Sequence, residues 1–345
     1  MTTRAASGPR VLREREFHRW LGRALPAGGS GLLPIGDDAA ALRPLPGRVA
    51  IVTTDSLVEG THFLPDSPPE QVGAAAVAVS LSDLAAKGAT PDGVLLALLL
   101  PVGTPSQWAK SVVRGAERTA SRFGAHVVGG DTKPARLRAV VGTALGWARP
   151  AALAPRSGAR PGDLLVTTGP AGRGGAAAAR FRLRGPHDRG ALAALLDVRP
   201  RVREGIALAP HAHAVLDTSD GLADSTRLLA RASHVRIVMP EEGIPVVREM
   251  RASHRAVAAR RFLVLYGGDY ELLAAVSPAR WVAAATAVRA AGGRLLRIGR
   301  VERGHGAWLE TGAGALVPMP QAGWQPFGVP PRRGKRGRST ARDGG

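Results

Sequence analysis

The stretch from Pro69 to Ala86 reads PEQVGAAAVAVSLSDLAA, and the helix that it predicts is the starting point for the rest of the fold. Proline at its first position, a long run of Ala and Val, and Gly88 just beyond its end are typical of one helix with defined ends. Asp83 lies near the end of this helix, among residues that are otherwise small or apolar. A carboxylate in such surroundings is costly unless a charged partner or a metal ion compensates it.

Apolar stretches before and after this helix predict further strands and helices in both halves of the chain. Residues 49–53 read as a buried strand whose end presents Thr54 and Asp55. Ser219 or Asp220 is expected to cap a later helix. This mixture predicts an α/β fold class with some α+β character. The other predicted elements are helices over residues 14–25, 105–123, 191–208 and 278–291, and strands over residues 93–101, 126–128, 137–147, 163–168, 214–216, 235–239, 262–265 and 270–276.

The length of the chain, 345 residues, allows two domains that each bury a core of their own. Prolines at positions 150, 155 and 161 favour a domain boundary there. We therefore predict a helix and lead-in over residues 1–30, an N-terminal domain over 31–150 and a C-terminal domain over 151–328. The remaining residues, 329–345, are rich in basic residues, Pro and Gly, which predicts a disordered tail.

Composition excludes several classes of function. Without cysteine the chain can form no disulfide, no thiolate zinc site and no thiol nucleophile. No apolar stretch approaches the roughly 20 residues that span a membrane, and the first residues lack a secretory signal. We therefore expect a cytoplasmic protein without a membrane partner.

The net charge of +20 does not by itself indicate a nucleic-acid partner. The excess comes mainly from Arg that is spread along a chain rich in Ala, Gly and Pro, which is typical of a bias in coding composition. We expect no specific nucleic-acid role. A general positive field would instead attract phosphorylated substrates.

Five acidic segments recur beside Gly, Ser and Thr at the edges of predicted elements. Asp37-Asp38 and Asp220 fit a turn or a helix cap, but Asp83 within an apolar helix and Asp55 after an apolar strand fit neither. Carboxylates gathered this closely repel one another unless cations lie between them. Oxygen ligands of this kind suit Mg²⁺, which also neutralises polyphosphate, so the pattern predicts Mg²⁺-dependent phosphoryl transfer. The segments are Gly36-Asp37-Asp38, Thr53-Thr54-Asp55, Ser82-Asp83, Gly129-Gly130-Asp131-Thr132 and Asp217-Thr218-Ser219-Asp220-Gly221.

The usual nucleotide-binding motifs are absent from the sequence. There is no P-loop, and the Gly clusters at 28–31 and 172–175 do not match the dinucleotide fingerprint. A kinase-type His-Arg-Asp segment is also missing. Any ATP site is therefore expected to hold the phosphates mainly through metal ions.

In order and spacing, these segments resemble the motifs of the thiamine-monophosphate kinase family over about residues 30 to 327. That family belongs to a superfamily with aminoimidazole ribonucleotide synthetase and selenophosphate synthetase, which share a fold and the use of ATP. The resemblance extends beyond the acidic segments. The matching stretches are Gly36 to Ala40, Thr53 to Phe63, Ser80 to Ala89, Gly129 to Thr132, Arg156 to Asp163, Asp217 to Leu222 and Gly267 to Leu272.

The resemblance implies a two-domain α/β protein of the aminoimidazole ribonucleotide synthetase-like fold that forms a homodimer through strands of its N-terminal domain. It implies transfer of the γ-phosphoryl group of ATP to thiamine monophosphate, which gives thiamine diphosphate. By position, the residues that would surround several Mg²⁺ ions are Asp38, Thr53, Thr54, Asp55, Asp83, Asp131, Asp217 and Asp220. Those that would contact ATP are Gly130, Asp131, Arg156 and Ser219, and those that would face the thiamine phosphate are His62, Glu271 and Trp324.

Two alternatives stay open at this point. The chain could be another ATP-using member of the same superfamily, although selenophosphate synthesis is disfavoured because that branch typically uses a Cys or selenocysteine. It could also be a non-catalytic nucleotide-binding relative. The second alternative is motivated by the segment at Gly268-Asp269, which lacks an acidic residue that the family usually carries.

Overall fold

The computed structural model describes residues 14–25, 44–185, 187–248 and 267–320. Within these ranges the strands form two sheets with helices packed against them, so the predicted α/β fold class is confirmed. No helix in these ranges is both long enough and apolar enough to cross a membrane. Asp38, Trp324, the predicted strand over 262–265 and the basic tail lie outside the described residues.

The first half of the chain builds a four-stranded sheet and the helices that cover it. Its elements are α1 (Glu14–Ala24), β1 (Val49–Val58), α2 (Pro69–Ala86), β2 (Thr90–Leu100), α3 (Ser106–Ser121), β3 (His126–Pro134) and β4 (Ala139–Ala148). The strand order is β1-β4-β2-β3. β1 and β2 each pair antiparallel with β4, whereas β2 and β3 run parallel.

The second half builds a seven-stranded sheet. Its elements are β5 (Leu164–Thr167), α4 (Arg173–Arg184), α5 (Arg189–Leu195), α6 (Val202–Leu208), β6 (Ala212–Asp217), α7 (Leu222–Ser233), β7 (Arg236–Pro240), β8 (Leu272–Val276), α8 (Trp281–Ala290), β9 (Leu296–Glu302), β10 (Gly306–Glu310) and β11 (Leu316–Pro318). The order is β11-β10-β7-β9-β5-β8-β6. Most neighbours are antiparallel, and β10 runs parallel to β7.

Helix α2 joins the two halves, because it is buried along most of its length and contacts elements of both. In the first half it crosses α3 so closely that a Cβ on Gly73 would lie 1.9 Å from the carbonyl oxygen of Val112. On its other side α2 meets α6, where a Cβ on Gly205 would lie 2.1 Å from the carbonyl oxygen of Ala85. One hydrophobic core therefore runs from the first half into the second.

The end of α2 is also tied to the second half by a partly buried cation, Lys87. Lys87, which follows the last helical residue, donates from Nζ to the carbonyl oxygen of Val215 at 3.0 Å and to that of Ala154 at 3.4 Å. Burial lowers the pKa of this ammonium group. These bonds fix the C-terminal turn of α2, which carries Asp83, against β6.

The structure corrects several predicted boundaries. β1 does not end at Thr53 but continues to Val58, because β4 pairs with it along all ten residues. β3 likewise continues through Asp131, because β2 supplies a parallel partner. Helix α7 begins at Leu222, and its N-cap is Gly221, so neither Ser219 nor Asp220 caps it. Strands β9, β10 and β11 were not predicted at all.

Candidate active site

A cavity of about 1070 Å³ lies between the two halves of the chain. Its walls come from β1 and the turn after it, α2, α4, α5, the junction of β6 with α7, and residues 267–270. Both halves therefore contribute side chains to the same space.

Four aspartates, here called the acidic wall, line this cavity: Asp55, Asp83, Asp217 and Asp220. Two of them lie on separate elements, β1 and α2, and the other two lie at the junction of β6 with α7. Asp55 lies on the face of β1 that alternates toward α2, Asp83 lies in the last turns of α2, and Asp217 ends β6. The structure therefore brings these four of the predicted carboxylates around one cavity, and their role as metal ligands stays a prediction.

Hydroxyl groups hold two of these carboxylates in place. Thr53 donates from Oγ1 to Asp83 Oδ2 at 2.6 Å, which joins β1 to α2. Ser82 donates to Asp217 Oδ2 at 2.7 Å, which joins α2 to β6 across the two halves. Thr54 also borders the cavity, but it is an exposed residue whose Oγ1 lies 2.9 Å from that of Thr143.

The carboxylates of the acidic wall are held at an electrostatic cost. Burial, and then the charges of Asp83, Asp217 and Asp220, raise the pKa of Asp55 from 3.8 to about 6. Burial also raises the pKa of Asp217 to about 6, although the hydrogen bond from Ser82 opposes the rise. The pKa of Asp220 is raised, again mainly by burial. A cation among these oxygens would offset both the cost of burying the negative charges and the repulsion between them.

The donor set fits a hard divalent cation that shares its coordination with other ligands. In the described ranges, no three His, Asp or Glu side chains are gathered into a complete metal site. Mg²⁺ is commonly bound by one or two carboxylates together with waters and substrate phosphates. The acidic wall, with its carboxylate and hydroxyl oxygens facing a large cavity, is therefore compatible with Mg²⁺.

Gly130 and Asp131 do not belong to the residues that line the cavity. They lie on β3 at the edge of the four-stranded sheet, where Asp131 is exposed and its Oδ1 is 3.0 Å from Nζ of Lys133. Gly130 fits a close contact, because a Cβ there would lie 2.0 Å from the carbonyl oxygen of Leu96. The assignment of both residues to metal or ATP stays a prediction.

Two other residues assigned to ATP lie around Asp217 and Asp220. Ser219 lines the cavity and donates from Oγ to Asp217 Oδ1 at 2.9 Å. Arg156 is exposed in the connection between the halves, and its charge lowers the pKa of Asp220 against the larger effect of burial. Arg156 therefore acts on the acidic wall electrostatically without lining the cavity.

His62 lies in the turn after β1 and lines the cavity. Its Nδ1 accepts a hydrogen bond from the backbone nitrogen of Val58 at 3.1 Å, so the ring proton of the neutral form is on Nε2. Burial lowers the pKa of this imidazole. His62 is therefore a neutral polar group on the cavity wall at pH 7.

Glu271 is buried, with 2% of its side chain exposed, and is not among the residues that line the cavity. Arg201 donates to both of its oxygens, with Nε at 2.7 Å from Oε2 and Nη2 on Oε1. Thr168 donates to Oε2 at 2.8 Å, and Arg173 donates from Nη2 to Oε1 at 3.4 Å. The Glu271 carboxylate therefore lies behind the residues that line the cavity, paired with Arg201 and Arg173. Its contact with substrate stays a prediction.

Arg173 and Tyr270 also line the cavity, and neither was assigned a role from the sequence. Arg173 begins α4, in a Gly-rich segment that matches no motif, and its ion-pair partner Glu271 is 98 residues away. Tyr270 has a positive φ of 54°, a conformation that is rare for residues other than glycine. Burial, and then the charges of Asp217 and Asp55, raise the pKa of its phenol. The sequence signal for Tyr270 was its place in the family-like stretch Gly267 to Leu272.

The comparison with protein families matches both halves of the chain. Residues 36–148 match the AIR synthase related protein, N-terminal domain, and residues 160–309 match the AIR synthase related protein, C-terminal domain. A thiamine-monophosphate kinase of Synechococcus elongatus is 35% identical over 274 residues, which cover 73% of this chain and 82% of the relative. The chain belongs to the thiamine-monophosphate kinase family. This confirms the family that the acidic segments predicted.

Solved structures of thiamine-monophosphate kinases have the same fold. The enzyme of Stenotrophomonas maltophilia K279a superposes with a TM-score of 0.74 at 32% identity, over 84% of this chain and 92% of that one. AaThiL, solved in complex with AMPPCP and TMP, superposes with a TM-score of 0.69 at 27% identity, over 84% of this chain and 91% of that one. The two-domain fold expected of a thiamine-monophosphate kinase is thus present in this chain.

Proposed function

We propose that this chain transfers the γ-phosphoryl group of ATP to thiamine monophosphate and so forms thiamine diphosphate. The observation that carries this proposal is the convergence of Asp55, Asp83, Asp217 and Asp220 on one cavity between the two halves. The relatives named thiamine-monophosphate kinase support the substrate, as does the AaThiL complex with AMPPCP, an ATP analogue, and TMP.

The reaction requires little acid–base catalysis from the protein. The nucleophile is an oxygen of the acceptor phosphate, which is already anionic, so no general base is required. The difficulty is to bring two polyanions together, and positioning and charge neutralisation are the main sources of catalysis in phosphoryl transfer. Mg²⁺ held at this site would neutralise phosphate charge and align the donor with the acceptor.

Four aspartates among the proposed metal ligands line the cavity, and their positions are compatible with that part. Asp83 and Asp217 are fixed by hydroxyl donors from β1 and α2, so their oxygens are oriented before any ligand arrives. Asp55 and Asp220 complete the acidic wall. The full proposed set comprises Asp38, Thr53, Thr54, Asp55, Asp83, Asp131, Asp217 and Asp220, with Gly130, Asp131, Arg156 and Ser219 for ATP and His62, Glu271 and Trp324 for thiamine monophosphate.

A homodimer is part of the proposal. β1 and β3 are the two edges of the four-stranded sheet among the described strands, and sheet edges carry backbone groups that can pair with another chain. Val52 on β1 is 60% exposed and Leu95 on β2 is 40% exposed. A second copy that covers these residues would bury apolar surface and would bring Asp131 close to an interface. Light scattering of the purified protein measures this directly, and a monomer at micromolar concentration would contradict it. We further propose a cytoplasmic location.

The decisive assay incubates the purified chain with ATP, Mg²⁺ and thiamine monophosphate and separates the thiamine products. We expect thiamine diphosphate and ADP in equal amounts, and none when EDTA replaces Mg²⁺. ATP hydrolysis that does not depend on thiamine monophosphate would indicate another activity of the superfamily. ATP binding without any turnover would indicate a non-catalytic relative, and either result would refute the proposal.

A further inference from the structure

The cavity is unequally charged. Four aspartates form its acidic wall, and among the described residues that line it Arg173 is the only arginine or lysine. A phosphorylated substrate that enters this space therefore finds one direct cationic contact in the described part of the wall. Arginine is well suited to that contact, because its planar guanidinium can donate to two phosphate oxygens at once.

The guanidinium of Arg173 is held by a hydrogen bond to a carboxylate that lies outside the cavity lining. Its Nη2 donates to Glu271, which is itself fixed by Arg201 and by Thr168 at 2.8 Å. The backbone around Arg173 is fixed as well, because the carboxylate of Asp269 accepts from the backbone nitrogens on either side, those of residues 172 and 174, at 2.8 and 3.0 Å. The side chain is thus oriented before any ligand binds.

The second terminal nitrogen of this guanidinium, Nη1, has no acceptor among the described residues. Nη1 of Arg173 is buried and has no hydrogen-bond partner in the structure. A buried donor without a partner is costly, and in native proteins such a group usually meets a ligand, an ion or a water molecule. Since Arg173 lines the cavity, the missing acceptor is expected to arrive from the cavity side.

We propose that Nη1 of Arg173 donates to a phosphate oxygen of thiamine monophosphate, and that Glu271 is a positioning residue that acts through Arg173. This inference rests on the proposed function, since it names a contact of that same acceptor substrate. It also gives Glu271 a role in substrate recognition that its burial behind the wall allows.

The acceptor phosphate is a better partner than the phosphates of ATP. The latter are expected at the acidic wall, whose aspartates would hold Mg²⁺ and whose metal ions would supply charge neutralisation for the phosphates. The charges that act most strongly on Arg173 are those of Glu271, Arg201, Arg199 and Asp197, and none of these belongs to the acidic wall. Arg173 is therefore coupled mainly to Glu271 and its neighbours, and its charge is available to the second anion in the cavity.

The test compares ligands with and without the phosphate group. Thiamine monophosphate and thiamine are titrated separately against the wild type, Arg173→Gln and Arg173→Lys, in Mg²⁺. Arg180→Gln serves as the control, because Arg180 is an exposed residue farther along α4 that does not line the cavity. We expect Arg173→Gln to weaken the binding of thiamine monophosphate about ten- to a hundredfold. Affinity for thiamine and KM for ATP should change by less than about twofold, Arg173→Lys should recover part of the loss, and Arg180→Gln should match the wild type.

A double variant tests the role of Glu271. If Glu271 acts through Arg173, Glu271→Gln should weaken the binding of thiamine monophosphate but not that of thiamine. The double variant Arg173→Gln/Glu271→Gln should then bind thiamine monophosphate no more weakly than Arg173→Gln alone. Unchanged affinity of Arg173→Gln for thiamine monophosphate, an equal loss for thiamine, or a rise in KM confined to ATP would each overturn the inference. Product formation by the wild type is scored separately, so the inference can fail while the proposed function stands.

Discussion

The substitution Asp83→Asn should separate folding from function at the acidic wall. In the wild type the hydroxyl of Thr53 donates to the Asp83 carboxylate at 2.6 Å, and Asn keeps one oxygen that can accept this bond. The substitution removes the negative charge that acts on Asp55 and Asp217. Without metal, that charge repels the neighbouring carboxylates, and its attraction for Lys87 offsets only part of this repulsion. The variant is therefore expected to fold as well as the wild type, or better, and to lose turnover.

The size of the effect follows from Asp217. Its pKa rises from 3.8 to about 6, which at about 1.4 kcal/mol per pKa unit corresponds to roughly 3 kcal/mol of cost in the charged, folded state. Burial is the largest cause and repulsion from Asp83 a smaller one, so Asp83 accounts for about 1 kcal/mol or less. A gain of that size raises the melting temperature by about 1–3 °C in a chain of this length.

The assay is thermal unfolding at pH 8 in EDTA and in Mg²⁺, together with turnover. In EDTA, Asp83→Asn should melt at or slightly above the wild-type temperature, and Mg²⁺ should stabilise the wild type more than the variant. Turnover should fall at least about a hundredfold. Asp66→Asn, an exposed carboxylate away from the cavity, should change neither quantity. A variant that melts lower in EDTA, or that retains turnover at limiting Mg²⁺, would refute the reasoning.

Three further predictions concern stability. Glu271→Ala leaves Arg201 without its closest buried partner and should lower the free energy of unfolding in urea by about 3–5 kcal/mol; a loss below about 1 kcal/mol would show that the pair is not structural. Burial raises the folded pKa of Asp269 from 3.8 to about 6, so its protonated form favours folding below pH 4 and that contribution is lost as pH rises through 6. Asp269→Asn should flatten the fall of unfolding free energy between pH 4 and 6 in EDTA, and an unchanged slope would contradict the assignment. Gly205→Ala forces α6 away from α2 and should cost about 1–3 kcal/mol in the same urea experiment, whereas Gly243→Ala, whose Cβ would meet its nearest atom at 3.4 Å, should cost little.

The parts of the fold with local signals were predictable from the sequence. The bounds of α2 were found because proline, a run of small residues and a following glycine act within the segment itself. The acidic wall was predictable because a lone Asp83 on an apolar helix has to be compensated from elsewhere. Both arguments need only the immediate neighbours of a residue.

The parts that depend on distant partners were not predictable. The sequence pattern predicts an end of β1 at Thr53 because the Thr and Asp residues there resemble a turn. The pairing with β4, about ninety residues away, keeps them in a strand instead. β9 and β10 were missed because their charged residues hide the strand pattern; Arg300 and Glu310 satisfy each other across strands, with Nη1 2.8 Å from Oε2. Arg173 gave no local signal for the same reason, since its partner lies 98 residues along the chain.

The most direct test of the central claim follows the phosphoryl group itself. ATP labelled with ³²P in the γ position is incubated with the chain, Mg²⁺ and thiamine monophosphate, and the label is measured in isolated thiamine diphosphate. The account predicts one label per ADP formed, none in EDTA, and almost none with Asp83→Asn. Label that appears at the wild-type rate in EDTA or in the variant, or ADP that forms while thiamine diphosphate stays unlabelled, would contradict it.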